Sequence, residues 1–325
     1  MSNSNATYKN NLTNIAKTRI MADRNMVKKD QIGYNESDIY FGIDESKLDN
    51  KFQILMIGSR DIENPYFGGN FMFSGKFPDQ YPFFPPHVKA KTQGESCRFH
   101  PNYYVSGKCC VSILGTWSGP PWTSCQNLGT VAQTLKSLYI ENPITQEPGW
   151  ETCNDHRAKS YTNIVAYRTL EVAVLRMMDN PPSGFEHFVP IMEKNFLEMF
   201  PKLMEKLHSM KNLHGKYIKS PMYGMTLTCD IQKLIKLYQN KHLQLTKKYK
   251  GSLNSGESKE EVSVNSGEEI NLNIEIKKKK KYTRKSPNSP AKNFEEGYEM
   301  VSENDGNQWK VYVTKNNQKR WKKIK

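Results

Sequence analysis

Apolar positions in residues 11–29 recur at helical spacing. Leu12, Ile15, Ala16, Ile20, Met26 and Val27 fall on one stripe, which predicts an amphipathic helix. Its other face is basic, with Lys17, Arg19, Arg24, Lys28 and Lys29 set against Asp23 alone. Such a face is either solvated or turned toward an acidic partner. Three strand-like runs follow, Phe52–Ile57, Phe71–Phe77 and Val88–Thr92, with turn signals at Asn64-Pro65 and Gly68-Gly69-Asn70 between the first two. Their spacing suits an antiparallel meander. Residues 78–87 carry prolines at 78, 82, 85 and 86. That density forbids helix and central strand alike and leaves a stiff loop. Over residues 93–126 the period lapses, yet Tyr103, Tyr104, Ile113, Leu114, Trp117 and Trp122 are costly to leave in water. A long irregular but ordered stretch of this kind points to function.

Helical periodicity then returns. Leu128, Val131, Ala132, Leu135, Leu138 and Tyr139 form one stripe, and residues 160–178 are apolar on most sides, which predicts a largely buried helix. Met192, Phe196, Met199, Leu203, Leu207 and Met210 mark another helix. Its methionines read as core, with an adaptable docking face as the alternative. Ile231, Leu234, Ile235 and Tyr238 mark a fifth helix, with Asp230 placed as its N-cap. From 250 to 292 the composition shifts to Ser, Gly, Glu and Lys, with Tyr282 the one aromatic. Such a segment cannot bury enough apolar area to fold alone and predicts a disordered polar, basic linker. Within it Lys277–Lys281 is either plain linker or a nuclear-targeting or anion-binding patch. Order returns at the end, where Trp309, Val311 and Val313 alternate with Lys310, Tyr312 and Thr314. With turn signals at Asn304-Asp305-Gly306-Asn307 and Asn316-Asn317, this predicts a three-stranded meander ending near Trp321. Its basic and aromatic mixture resembles short terminal modules of giant DNA virus proteins, which bears on origin rather than activity.

Composition narrows the field. Mean hydropathy over the 325 residues is −0.74 and apolar residues make up 37%. No run of ~18 apolar residues occurs, so no membrane span is expected. The polar opening, Met1–Asn10, predicts no secretory signal. Six cysteines, at 97, 109, 110, 125, 153 and 229, form no CxxC pair. A zinc ribbon and a disulfide framework are therefore not expected, and no metal site is assigned. The net charge of +14 permits acidic partners, nucleic acid at the basic tail included, without demonstrating them.

The informative block runs from Phe77 to Trp150. Tyr81-Pro82-Phe83-Phe84-Pro85-Pro86 precedes His100-Pro101-Asn102, and Cys110 follows eight residues after Asn102. Next come Ile113-Leu114-Gly115-Thr116-Trp117-Ser118-Gly119-Pro120-Pro121-Trp122, the Leu128 helix, and Glu147-Pro148-Gly149. In this order the motifs resemble the catalytic core of ubiquitin-conjugating enzymes over residues 10–180: a proline loop, an HPN motif and a cysteine at the family's spacing. The tryptophan-containing insertion, the EPG triplet and the later helices resemble the enlarged Z-type subgroup. The resemblance implies an α+β fold of ubiquitin-conjugating type, with an N-terminal helix, a four-stranded antiparallel meander, an irregular active-site loop and C-terminal helices. To this core, 10–180, are added a helical extension, 181–249, the linker, 250–292, and a small β-module, 293–325.

The chemistry suits these residue types. Thiolates attack acyl carbons and leave readily, so a thioester carrier needs a cysteine. By the resemblance, Cys110 accepts ubiquitin or a ubiquitin-like protein from an activating enzyme and passes it to a substrate lysine, usually with a RING-type ligase. No cofactor is implied, because ATP is spent by the activating enzyme. Asn102 offers an amide donor, either to the developing oxyanion or to the loop itself, and Glu147 aligns with an acidic residue that orients or deprotonates the lysine. His100 and Pro101 are implied to be structural. Phe83 and Trp122 fall where the family meets ligases; Lys17, Arg19 and Arg24 fall where it docks the activating enzyme. Cys109 departs from the family's usual aliphatic residue and is read as buried, since adjacent extended residues point opposite ways. Thr123-Ser124 departs from the usual Ser-Pro after Trp122. Two other readings compete: a non-catalytic module that only presents ubiquitin, which the presence of Cys110 disfavours, and a cysteine hydrolase, which requires a histidine base beside Cys110. The expected location is cytoplasmic, nuclear if Lys277–Lys281 is a targeting signal, and host cytoplasm if the source is viral.

Overall fold

The computed structural model describes residues 12–43, 50–254, 291, 295–301, 307–314 and 318–324. Those up to Asn254 form one compact unit and those from Ala291 onward a second.

Helix α1 (Asn14–Lys29) begins where Thr13 is extended and its hydroxyl accepts the Ala16 N–H at 3.1 Å. Leu12, Ala16, Ile20 and Val27 are buried as the apolar spacing predicts, but Ile15, counted in the same stripe, is 58% exposed; Lys28 and Lys29 lie at the carbonyl end. A short helix α2 (Gln31–Glu36) follows. The sheet is four-stranded and antiparallel in the order β1 (Ile39–Gly42), β2 (Lys51–Ile57), β3 (Asn70–Lys76), β4 (His87–Ala90). Three strands match the strand-like runs. The fourth, β1, is four residues long and is defined by its pairing, Ile39 opposite Met56 and Phe41 opposite Ile54. Ile54 to Ile57 are all buried, so alternation is lost where β2 is covered on both faces.

Helix α3 (Leu128–Ser137) is capped by Asn127, whose side-chain oxygen accepts the Thr130 N–H at 2.9 Å. Helix α4 (His156–Arg168) passes into a π-helical stretch, Thr169–Arg176, and ends in α5 (Met177–Asp179). The predicted buried helix over 160–178 is thus present but widened in its second half. Six of the eight π-helical residues are buried, and Asn70 on β3 donates to the Val174 carbonyl at 3.5 Å.

The extension packs onto this body. Helix α6 (Val189–Ser209) buries Met192, Phe196, Met199, Leu203 and Leu207, so its methionine stripe is core. Helix α7 (Ile231–Asn254) starts at Asp230, whose carboxylate accepts the Lys233 N–H at 3.0 Å, and Tyr238 donates to the Leu170 carbonyl at 2.9 Å. Between these helices lies a hairpin that periodicity did not indicate, β5 (Tyr217–Lys219) with β6 (Thr226–Thr228). Three-residue strands are too short to show a period.

In the second unit, β7 (Glu299–Val301), β8 (Gln308–Val313) and β9 (Lys319–Lys323) form an antiparallel meander with buried Val311 opposite Trp321. The predicted linker begins inside α7, which runs to Asn254. Residues 255–290 of it, Lys277–Lys281 included, lie outside the described residues, as do residues 304–306 and 316–317 of the two predicted turns.

Candidate active site

Cys110 sits in an irregular connection, followed by the extended Val111 and a single 3-10 turn, Ser112–Leu114. Its neighbour Cys109 forms an antiparallel bridge with Tyr103, and its thiol joins the hydrophobic core. Burial pushes the Cys109 thiol up to about 12, so it stays protonated at neutral pH. Cys110 stands outside that core cluster, though only 4% of its surface is exposed. The Cys110 N–H donates to the Asn102 carbonyl at 2.8 Å, and the Asn102 side-chain amide donates back to the Cys110 carbonyl at 2.6 Å.

His100 is fully buried, with its ring 5.3 Å from Tyr103 and 6.3 Å from Tyr66. Its Nδ1 accepts the Asn102 N–H at 3.0 Å. Burial drives its pKa down to about 3, opposed in part by the Leu138 backbone. The imidazole is therefore neutral at neutral pH, and its Nδ1 lone pair is already engaged. It orients Asn102 and is not placed to serve as the base that a cysteine hydrolase requires.

The Pro101 carbonyl accepts from the Arg98 guanidinium. That guanidinium lies between two rings, 3.8 Å from the centroid of Tyr104 and 3.9 Å from that of Tyr223. On the other side of the cysteine, the Thr116 hydroxyl accepts the Val111 N–H at 2.9 Å and donates to the Cys109 carbonyl at 2.6 Å. One side chain from the tryptophan-containing insertion thus fixes both neighbours of Cys110. Its only sequence signal was membership of the Ile113–Trp122 run, which assigned it no role.

Glu147 follows the 3-10 turn Pro143–Gln146 and is half-buried. Its carboxylate accepts the Tyr223 hydroxyl at 2.5 Å. The turn of the β5–β6 hairpin therefore touches this candidate residue, a contact spanning 76 residues of chain that no local pattern announces. Burial and the bond to Glu147 both raise the Tyr223 pKa, so the phenol remains a donor.

The remaining predicted residues fall into two groups. Phe83 is 63% exposed on the proline loop. Trp122 is half-buried, donates to the Pro82 carbonyl at 2.7 Å and packs 5.9 Å from Tyr81, which brings the two loops side by side. On α1, Lys17 and Arg24 are partly exposed. Arg19 is differently placed: its guanidinium pairs with Asp23 at 2.7 Å and donates to the backbone carbonyls of Ser124 at 2.8 Å and Gln126 at 2.6 Å. Asp23, read from sequence as one acid on a basic face, is a buried hub. Its second oxygen accepts from the Tyr81 hydroxyl and, at 2.9 Å, from the Leu128 N–H at the start of α3. Among the described residues, no cluster of His, Cys, Asp and Glu could hold a metal ion, and no helix is long and apolar enough to cross a membrane.

Residues 19–168 match the family model described as ubiquitin-conjugating enzyme. The chain is 34% identical over 202 residues to ubiquitin-conjugating enzyme E2 Z of Xenopus tropicalis, covering 62% of this chain and 64% of that protein. To the Homo sapiens protein of the same name it is 36% identical over 187 residues, covering 57% and 52%. The human dual E2 ubiquitin-conjugating enzyme/E3 ubiquitin-protein ligase BIRC6 is 31% identical over 166 residues, covering 48% of this chain and 3% of that one. The chain thus spans between half and two thirds of the length of the E2 Z proteins it matches.

Proposed function

Residues 19–168 belong to the ubiquitin-conjugating enzyme family, and from that membership we propose that the chain is an acyl carrier that holds ubiquitin, or a ubiquitin-like protein, as a thioester on Cys110. The observation that carries this reading is the reciprocal pair of hydrogen bonds between Asn102 and Cys110, which holds the thiol-bearing residue against an amide donor.

In the first step the Cys110 thiolate attacks the carbonyl carbon of the thioester on an activating enzyme. A new C–S bond forms, the old one breaks, and the activating enzyme's cysteine leaves as thiolate. Bond types are unchanged, so the step is nearly balanced and needs no strong base. In the second step a neutral lysine amine attacks the same carbon and the Cys110 thiolate departs. The proton that the nitrogen sheds passes to water or to Glu147. Negative charge builds on the carbonyl oxygen in between, and Asn102 is the nearby amide donor in the HPN loop. Phe83, with Trp122 bracing its loop, is the proposed ligase contact, and Lys17 and Arg24 on α1 the proposed contact with the activating enzyme. No cofactor is assigned to this chain, since ATP would be consumed upstream.

Incubation with ATP, a panel of activating enzymes and their modifiers tests the reading. The expected product is a modifier adduct on Cys110 that reducing agent removes. A chain that charges with no member of the panel would instead favour a module that presents ubiquitin without carrying it.

A further inference from the structure

The β5–β6 hairpin brings one side chain to both arms of the site. Its turn, Ser220-Pro221-Met222-Tyr223-Gly224-Met225, is closed by the Ser220 N–H donating to the Met225 carbonyl at 2.9 Å. At its tip Tyr223 has φ of 61° and Gly224 φ of 63°. Glycine enters this left-handed region freely, whereas a bulky aromatic residue does so at a cost, so contacts elsewhere must hold Tyr223 there.

Those contacts converge on Arg98 and Glu147. The Tyr223 ring covers the Arg98 guanidinium at 3.9 Å, and Arg98 donates to the Pro101 carbonyl. The Arg98 N–H donates to the Met225 sulfur at 3.2 Å, a second tie from the same turn. Tyr161 supports both partners: its ring meets that of Tyr223 in a T-shaped arrangement with centroids 6.0 Å apart, and its hydroxyl donates to the Arg98 carbonyl at 2.9 Å. The Tyr223 hydroxyl meanwhile donates to Oε2 of Glu147 at 2.5 Å. The other carboxylate oxygen, Oε1, has no hydrogen-bond partner among the described residues.

We propose that Tyr223 is a positioning residue for transfer to lysine, fixing the Glu147 carboxylate through its hydroxyl and bracing the Pro101–Asn102 backbone through Arg98. This rests on the acyl-carrier reading above. A carboxylate at the end of a short turn samples several rotamers. Anchoring one oxygen removes that freedom before the substrate arrives and presents the other oxygen to the incoming amine. The hydroxyl and the ring make separable contributions, because only the hydroxyl reaches Glu147. Attack by a thiol needs no carboxylate to orient or deprotonate an amine. The hydroxyl therefore matters to lysine and not to a thiol, whereas the ring, through the HPN loop, matters to both.

The test is single-turnover discharge of the full chain, charged on Cys110, to free lysine and in parallel to free cysteine. Tyr223→Phe is expected to slow discharge to lysine about tenfold, the effect of one hydrogen bond to a charged group, with discharge to cysteine changed less than about twofold. In a Glu147→Gln background the same substitution should add almost nothing, since both act through one carboxylate. Tyr223→Leu should slow both reactions. Equal slowing of both nucleophiles by Tyr223→Phe, slowing of neither, or full additivity with Glu147→Gln would each overturn the proposal. Because Tyr223→Phe keeps the ring, its outcome stands even if Tyr223→Leu fails to fold. Failure of the unmodified chain to charge at all would count against the acyl-carrier reading, a result distinct from any of these.

Discussion

The Asn102 side-chain amide donates to the carbonyl of Cys110 at 2.6 Å, and the Cys110 N–H donates back to the carbonyl of Asn102 at 2.8 Å. In this arrangement the amide clamps the cysteine's backbone, and in the proposed transfer it would be the donor near the charge that develops. Asn102→Ala is expected to slow lysine discharge by about 10²-fold and to cost about 1 kcal/mol of stability. Asn102→Asp, similar in shape but unable to donate when ionised, should slow discharge comparably. Single-turnover kinetics and urea denaturation on the same preparations check both expectations, and full-rate discharge by either variant would contradict them.

The two adjacent cysteines should separate cleanly. Cys109 is held in the core with its thiol raised to about 12, so Cys109→Val should still charge. Cys110→Ala should not charge. Cys110→Ser should form, slowly, an oxyester that survives reducing agent, because no thioester is present. Non-reducing and reducing gels distinguish these products.

Asp23 should carry stability out of proportion to its place in the sequence. Asp23→Ala strips partners from Arg19, the Tyr81 hydroxyl and the Leu128 N–H together. Breaking a buried pair typically costs ~3–5 kcal/mol, and denaturant midpoints should report a loss of about 3 kcal/mol. A loss below about 1 kcal/mol would show that water replaces the carboxylate at little cost.

His100 should make stability depend on pH. Its folded pKa of about 3 lies below the ordinary histidine value of 6.5, so the unfolded chain binds the proton first as pH falls. The contribution is whole above about 6.5 and is lost progressively toward 3, at about 1.4 kcal/mol per pH unit for one proton. Between pH 6.5 and 5 this group alone should remove about 2 kcal/mol. His100→Asn should flatten that slope, measured by urea titrations across the range.

Phe83 is 63% exposed, so Phe83→Ala should leave unfolding and charging unchanged while reducing ligase-stimulated discharge. Assays with and without a RING-type ligase read the difference. Equal stimulation of both proteins would remove Phe83 from the interface.

What could be read in advance was what is local. The step from Asn102 to Cys110 is eight residues, and the bonds that join them span the same distance, so spacing carried the relation. Helices α1, α3, α6 and α7 announced themselves through stripes that recur over several turns. What escaped depends on distant partners. The β1 strand has too few residues to show a period and exists through its register with β2. The π-helical stretch buries most sides of its turn, so apolar spacing cannot distinguish it from α-helix. Tyr223 reaches Glu147 across 76 positions, and Asp23 reaches Leu128 across 105. Thr116 is nearer in sequence but acts through a single hydroxyl in irregular backbone, where residue type says little about partner.

The guanidinium of Arg19 binds the carbonyls of Ser124 and Gln126, so the first helix and the loop after Trp122 are latched together. Alanine scanning along that helix is therefore confounded at one position. Removing Arg19 would unlatch the tryptophan loop as well as erase a surface cation, and a defect in either handover could follow. Lys17, one turn-half away and partly exposed, is the cleaner probe of who grips the helix from outside.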